Sequence, residues 1–437
     1  MKISIVGLGF VGLSLTSVLS SKGNDILGID ADENKCKNIQ KGKSPFFEPD
    51  LEKLLRIGLK KKLKISTDFS LIKNSDIIFV TVGTPQRANG SIELSMIKSA
   101  VKSIGKVLKN DTKNPIIFIK STVTPGTMQK TVLPVLEKES CKKAGKDFGL
   151  ISNPEFLQES TAIRDTKFPH VVVLGGYETK YMKKAKKFYS KIHPGIPIIS
   201  TNHQTAEMIK YANNSFLATK ISFINQLSNI CQNIPGANID DIAKTIGLDP
   251  RIGKLFLNAG PGYGGSCLPK DMKAIINFAS NSGIKPTLLN AVEEVNTTQL
   301  QQIITIASKR LGNLNSKRIT ILGTAFKPNT DDIRDSIAIE LIKKLQKRKA
   351  NITIHDPKAI KNTEKVFGDK IKYAKTVTDA LSGSQCVVIM TQWKQYEKIN
   401  NKQFKNMKKK IVIDCRRVLT SKQLDVDYFA IGLGKEN

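Results

Sequence analysis

From Met1 to about Ser200, short β-branched and apolar runs alternate with stretches whose apolar positions recur every three to four residues. That alternation is the pattern of a doubly wound α/β domain. The runs predict strands at Ile3 to Val6, Asp25 to Ile29, Asp76 to Val82, Ile116 to Lys120, Gly149 to Ser152, Val171 to Leu174 and Ile198 to Ser200. Beyond Ser200 the period changes. Ile209, Ala212, Phe216, Phe223, Leu227 and Ile230 recur at helical spacing with no proline before Pro235, which predicts one long buried helix. A second helical stretch, Pro286 to about Leu311, follows a glycine-rich loop at Gly260 to Gly265. From Lys317, strand-like runs return at Ile319 to Leu322, Asn351 to Ile354, Val387 to Met390 and Ile411 to Ile413, between lysine-rich helices. Three domains are expected: an α/β domain over 1–200, a central helical segment over 201–311 suited to dimerisation, and a smaller α/β domain over 312–437.

Composition narrows the setting. A chain of 437 residues, 40 % hydrophobic and 24 % charged, is too long for one compact core. No apolar run approaches the roughly 20 residues of a membrane-spanning helix. The segment Met1-Lys2-Ile3-Ser4-Ile5-Val6 runs directly into a glycine turn, so no signal peptide is expected. Cysteines 36, 141, 231, 267, 386 and 415 lie far apart, as suits reduced thiols in a cytoplasm rather than a disulfide framework. The four histidines share no ligand spacing, so no metal site is expected, and they are assigned to turns and surface. A formal charge of +31 would draw any polyanion. The lysines are dispersed, however, and one tryptophan with 6 % aromatics offers few stacking platforms, so a solvated basic surface is expected rather than a nucleic-acid site.

Candidate chemistry begins at Gly7-Leu8-Gly9-Phe10-Val11-Gly12, which follows a strand and opens a helix. In a Rossmann domain the first glycine allows the tight turn, the second admits the pyrophosphate, and the third lets helix and strand pack. The helix N-terminus then meets the negative charge. Asp30 ends the second strand, where a carboxylate accepts from the adenosine ribose, so NAD is expected over NADP; the alternative is a loop carboxylate capping a helix. Lys35 lies near the phosphates or belongs to the basic surface.

Three further segments place polar groups beside apolar structure: Asn153-Pro154-Glu155-Phe156-Leu157-Gln158-Glu159, then Lys210 with Asn214, then Gly264-Gly265-Ser266-Cys267-Leu268-Pro269-Lys270-Asp271. Lys210 and Asn214 are four residues apart on one helix face, where a lysine is costly unless paired, with Glu155 and Glu159 as candidate partners. A lone cysteine is more often inert core, but Cys267 follows two glycines and precedes Lys270, a setting that favours thiolate.

With Gly83-Thr84-Pro85, Lys120-Ser121-Thr122, Phe326-Lys327-Pro328-Asn329-Thr330-Asp331-Asp332-Ile333-Arg334-Asp335-Ser336 and Asp414-Cys415-Arg416-Arg417, these motifs resemble, in order and over nearly the whole length, the UDP-glucose/GDP-mannose dehydrogenase family. The resemblance implies two Rossmann-like domains around a central long-helix dimerisation segment. It also implies a four-electron oxidation of a nucleotide sugar's C6 alcohol to a carboxylate with two NAD. Asp271, through water and helped by Lys210, would take the hydroxyl proton. Cys267 would capture the aldehyde as a thiohemiacetal whose oxyanion Lys210 and Asn214 stabilise, and a thioester would follow. Glu155, Glu159 and Asp271 are all candidates for activating the hydrolytic water, with Thr122 nearby.

By the same resemblance Gly7, Gly9, Phe10, Val11, Gly12, Asp30, Lys35, Thr84, Thr122, Glu159, Lys270 and Arg334 would serve NAD. Glu155, Phe156, Leu157, Lys210, Asn214, Asn258, Gly264, Lys327 and Arg416 would serve the nucleotide sugar, and Arg251 would reach a neighbouring subunit's site in a homodimer. Asn258 stands where some members carry lysine. UDP-glucose is the substrate expected; GDP-mannose and UDP-N-acetylhexosamine stay open. From other classes, a two-electron hydroxyacid-type dehydrogenase needs neither Cys267 nor residues 317–437, and a polyanion-binding protein is suggested by charge alone.

Overall fold

The β-branched runs of the N-terminal half form one eight-stranded sheet: β1 (Lys2–Val6), β2 (Asp25–Ile29), β3 (Leu63–Ser66), β4 (Ile77–Val80), β5 (Ile116–Ile119), β6 (Gly149–Ser152), β7 (Val172–Gly175) and β8 (Ile198–Thr201). In the computed structural model, which describes residues 1–419 and 423–434, the chain divides into units Met1–Asn213 and Asn214–Asn437. The sheet belongs to the first. Its order is β3-β2-β1-β4-β5-β6-β7-β8, parallel except for the β6–β7 pair. Strands β4 and β5 are buried on both faces, which is why they read as unbroken apolar runs. Period two still sorts their side chains. Ile77, Phe79 and Phe118 join Leu13, Leu19 and Tyr189 in one apolar layer, while Ile78, Val80, Ile117 and Ile119 join Ile104 and Leu136 in the other. Strand order reverses between β1 and β4, the position at which open α/β sheets take ligands.

The second unit holds a six-stranded sheet of β9 (Arg318–Leu322), β10 (Asn351–His355), β11 (Lys372–Tyr373), β12 (Cys386–Ile389), β13 (Ile411–Asp414) and β14 (Asp427–Ala430). All its pairs are parallel, in the order β11-β10-β9-β12-β13-β14, so the first sheet's order around β1 is repeated around β9. Ile321, Ile342, Ile354, Val388 and Ile413 fill one side of it.

Helix His203–Cys231 carries the chain from the first unit into the second. It is not buried along its apolar stripe, as its periodicity predicts. Phe216, Phe223 and Ile230 are 65, 52 and 49 % exposed, whereas Glu207, Lys210, Asn214, Ser222, Asn225 and Ser228 are buried. The polar face turns inward because its groups have partners there: Ser222 Oγ donates to the Val292 carbonyl at 2.8 Å, and Asn225 Oδ1 accepts from Gly260 N–H at 2.8 Å. The histidines differ from expectation as well. His193, His203 and His355 are buried, and the last bonds the Tyr396 hydroxyl at 3.0 Å. Among the described residues no helix is long and apolar enough to cross a membrane, and no three His, Cys, Asp or Glu side chains gather as a metal site.

Candidate active site

The first turn of the N-terminal sheet is built for close approach by a ligand. Gly7 has φ +95°, and a Cβ there would lie 2.7 Å from Val82 N; one at Gly12 would lie 1.8 Å from the Gly7 carbonyl. A Cβ at Gly9 would meet nothing within 4 Å, so the backbone lies open just where helix Phe10–Ser21 begins. Its first turn holds no acidic residue to repel a phosphate. Phe10 packs on Phe46 at 5.3 Å between ring centroids. At the end of β2 the Asp30 carboxylate accepts from Leu8 N–H at 2.7 Å, from Asp32 N–H at 3.0 Å and from the Lys35 ammonium at 3.0 Å. Asp30 caps no helix; Asp32 does, accepting from Lys35 N–H at 2.9 Å. Lys35 is thereby tied to Asp30. Thr84 is buried and Thr122 half-buried in the loop after β5. An open glycine at a helix start and a fixed carboxylate on the neighbouring strand fit a dinucleotide.

Strand β6 delivers the segment beginning Asn153-Pro154-Glu155. Lys210 donates to the Glu155 carbonyl at 2.7 Å and to its Oε1 at 3.1 Å, while Leu157 N–H donates to Oε2 at 2.5 Å. Both charged side chains are almost fully buried, and the Lys210 ammonium also lies 5.5 Å from the Phe156 ring centroid. The pairing expected of Lys210 is thus made with Glu155; Glu159 is buried nearby in sequence. Two groups without a role in the sequence reading hold this segment. Glu48 accepts from Ser160 N–H at 2.7 Å and from Ala162 N–H at 2.8 Å, and Lys120 donates to Asn153 Oδ1 at 3.0 Å. A third, Glu207, accepts from Gly126 N–H at 2.7 Å and Met128 N–H at 2.8 Å in the loop after Thr122. Their partners lie far away in sequence, so no local pattern announces them.

In the second unit, Cys267 is the exposed N-cap of helix Leu268–Asn281. The N-terminus of that helix carries the positive end of the helix dipole. The Cys267 Sγ lies 3.6 Å from Ser266 Oγ. One turn on, Asp271 is buried, with Oδ1 accepting from Lys270 at 2.5 Å and Oδ2 from the Asn214 amide at 2.7 Å. The arrangement places a thiol, a carboxylate, an ammonium and an amide around one helix start. The preceding loop leans on the C-terminal segment: a Cβ at Gly264 would lie 2.3 Å from the Asp335 carbonyl, one at Gly265 2.5 Å from the Phe326 ring, and one at Gly260 3.0 Å from Arg416 Nη1. Lys327 is half-buried beside Phe326, at 5.7 Å from its centroid. Arg416 Nε donates to the Met390 carbonyl at 2.9 Å. Arg334 and Arg251 are exposed and form local ion pairs with Asp332 and Asp249, and Asn258 is exposed.

Three family models match this chain. The NAD binding domain of the UDP-glucose/GDP-mannose dehydrogenase family matches residues 1–193, its central domain residues 204–298, and its UDP binding domain residues 320–421. The chain is 37 % identical over 433 residues to UDP-glucose 6-dehydrogenase AglM of Haloferax volcanii, covering 98 % of this chain and 99 % of that protein. It is 37 % identical over 437 residues to UDP-glucose 6-dehydrogenase TuaD of Bacillus subtilis, covering 99 and 93 %. Among solved structures, a UDP-glucose dehydrogenase from Pyrobaculum islandicum superposes with a TM-score of 0.91 at 31 % identity, covering 99 % of this chain and 98 % of that one.

Proposed function

The chain belongs to the UDP-glucose/GDP-mannose dehydrogenase family of NAD-dependent nucleotide-sugar dehydrogenases, and from that premise we propose that it oxidises the C6 hydroxyl of UDP-glucose to the carboxylate of UDP-glucuronate. Gly7, Gly9, Phe10, Val11, Gly12, Asp30, Lys35, Thr84, Thr122, Glu159, Lys270 and Arg334 would hold NAD, which would supply the hydride acceptor for both oxidations. Asp271 takes the hydroxyl proton through water, helped by the Lys210 charge. The Cys267 sulfur then bonds to the aldehyde carbon, and Lys210 and Asn214 donate to the oxyanion formed. Loss of the second hydride leaves a thioester. Water attacks it, losing its proton to Glu155, Glu159 or Asp271 beside Thr122, and the thiol is released.

Lys327 and Arg416 hold the diphosphate and uridine end, a task that suits guanidinium in particular, and Phe156, Leu157, Asn258 and Gly264 line the sugar. Phe216, Phe223 and Ile230, seven residues apart on the long helix, present an apolar stripe that a second copy of the chain would cover, and in such a dimer Arg251 reaches the neighbouring site. Six free cysteines and the use of NAD suit the cytoplasm.

The observation that carries the reaction is Cys267, exposed at a helix start one turn from the buried Asp271. Counting NADH per sugar for UDP-glucose, GDP-mannose and UDP-N-acetylhexosamines, with wild type and Cys267→Ser, tests it. Two NADH per UDP-glucose, lost in the variant, is the expected result. Turnover of GDP-mannose alone would move the substrate, and one NADH per sugar untouched by Cys267→Ser would remove the thioester.

A further inference from the structure

Lys120 has no part in the chemistry above, yet it stands at the carboxyl end of β5, the end at which such sheets bind ligands. Its ammonium donates to Asn153 Oδ1 at 3.0 Å and to the Asn153 carbonyl at 3.4 Å. Asn153 is anchored further: Oδ1 accepts from the Tyr189 hydroxyl, and Nδ2 donates to the Val173 carbonyl at 2.8 Å. Two residues on, Lys210 grips Glu155 through both carbonyl and carboxylate. The stretch from 153 to 155 is therefore held at each end by a lysine.

Both oxygens that Lys120 bonds are neutral, and an uncharged amide donor would satisfy them at lower desolvation cost than an ammonium. What the charge adds is attraction to Glu155, set against repulsion from Lys210. Burial pushes the Lys120 ammonium down to about 8, with Glu155 opposing the fall and Lys210 assisting it. The other titratable groups facing it are Tyr189 and His193, from helix Lys180–Ile192 and its C-cap. Burial raises the Tyr189 hydroxyl far above its ordinary value and lowers His193 to about 4, so neither titrates near pH 8.

We infer that protonated Lys120 is a positioning residue for Glu155, locking the Asn153–Glu155 segment to β5 and adding a second cation beside that carboxylate. The assignment rests on the function proposed above, in which Glu155 is one candidate for activating the hydrolytic water. The test is kcat and KM for wild type, Lys120→Met and Lys120→Arg from pH 6 to 10, with UDP-glucose and NAD. Lys120→Met is expected to lower kcat at pH 7 on the order of 100-fold, the scale of a small misplacement, with both KM values little changed. The wild-type rate should fall as pH rises past about 8. Arginine stays charged, so Lys120→Arg should keep more rate than Lys120→Met and carry that fall to higher pH. An alkaline limb unmoved in Lys120→Arg overturns the assignment, as does a Lys120→Met enzyme altered only in KM. If Lys120→Met does not fold, the Lys120→Arg limb alone decides. Two NADH per UDP-glucose from wild type with an unmoved limb removes Lys120 and leaves the function standing; no NADH from any nucleotide sugar removes the function itself.

Discussion

The Asn214 amide donates to one oxygen of Asp271 at 2.7 Å while Lys270 donates to the other at 2.5 Å, so a carboxylate that is only 1 % exposed is engaged from both sides. Asp271→Asn keeps the shape but turns one acceptor into a donor facing another donor, and it removes the proposed base. A kcat loss of roughly 10²- to 10⁴-fold, the usual worth of a positioned general base, is expected, with a smaller change in KM. Steady-state rates in both substrates check this. A variant within a few-fold of wild type would take proton transfer away from Asp271.

Glu48 fastens the far end of the Glu155 segment by accepting from the N–H groups of Ser160 and Ala162. Glu48→Ala strips both donors of a charged acceptor inside a buried setting. A loss of about 1.5–3 kcal/mol of stability is expected for such a charge-assisted bond. Hydrogen exchange is the sharper readout: the amides of 160 and 162 should lose protection before the strands of the sheet do. Equal protection in variant and wild type would show that the segment is held by other contacts.

What could be read from the sequence follows from the range over which each constraint acts. The turn at Gly7, Gly9 and Gly12 was legible because chemistry fixes its spacing within six residues; Gly7 and Gly12 also have steric reasons in the fold, whereas Gly9 leaves the backbone open. Strand β3, Leu63-Lys64-Ile65-Ser66, was missed because a four-residue alternation among lysines resembles a loop, and β14, Asp427-Tyr428-Phe429-Ala430, because four residues buried only at the last show no alternation of apolar and polar positions. On the long helix, periodicity located the apolar face at Phe216, Phe223 and Ile230 but not its direction, since an interior of hydrogen-bonded Ser222 and Asn225 has the same period. Glu48 and Lys120 were illegible as site residues, because the atoms they hold lie 112 and 33 residues further along the chain.

The exposed stripe on that helix gives a prediction of assembly. Phe223→Glu places a charge where a second copy would bury a ring, and burial of an unpaired carboxylate is prohibitive. The folded chain should then sediment as a monomer at concentrations where wild type is a dimer, and lose activity to the extent that Arg251 serves the neighbouring site. A wild-type monomer, or a variant dimer of unchanged affinity, would move the interface elsewhere.

Acid stability offers a last test, carried by His203 and His193. His203 is 2 % exposed and meets the Tyr177 ring edge-on at 5.4 Å, and His193 lies against Tyr189 at 6.0 Å. Burial lowers both imidazoles to about 4, below the roughly 6.5 of an unfolded chain. The sign follows from proton counting: between these values the unfolded state binds a proton that the folded state refuses. Stability is therefore complete above about pH 6.5 and declines as pH falls towards 4, by at most about 1.4 kcal/mol per pH unit for each histidine. His203→Phe keeps an aromatic ring against Tyr177 and removes the titration. Its melting temperature relative to wild type should rise on going from pH 7.5 to pH 5, whatever the fixed cost of the new ring. A difference that is the same at both pH values would mean that His203 does not contribute to acid unfolding.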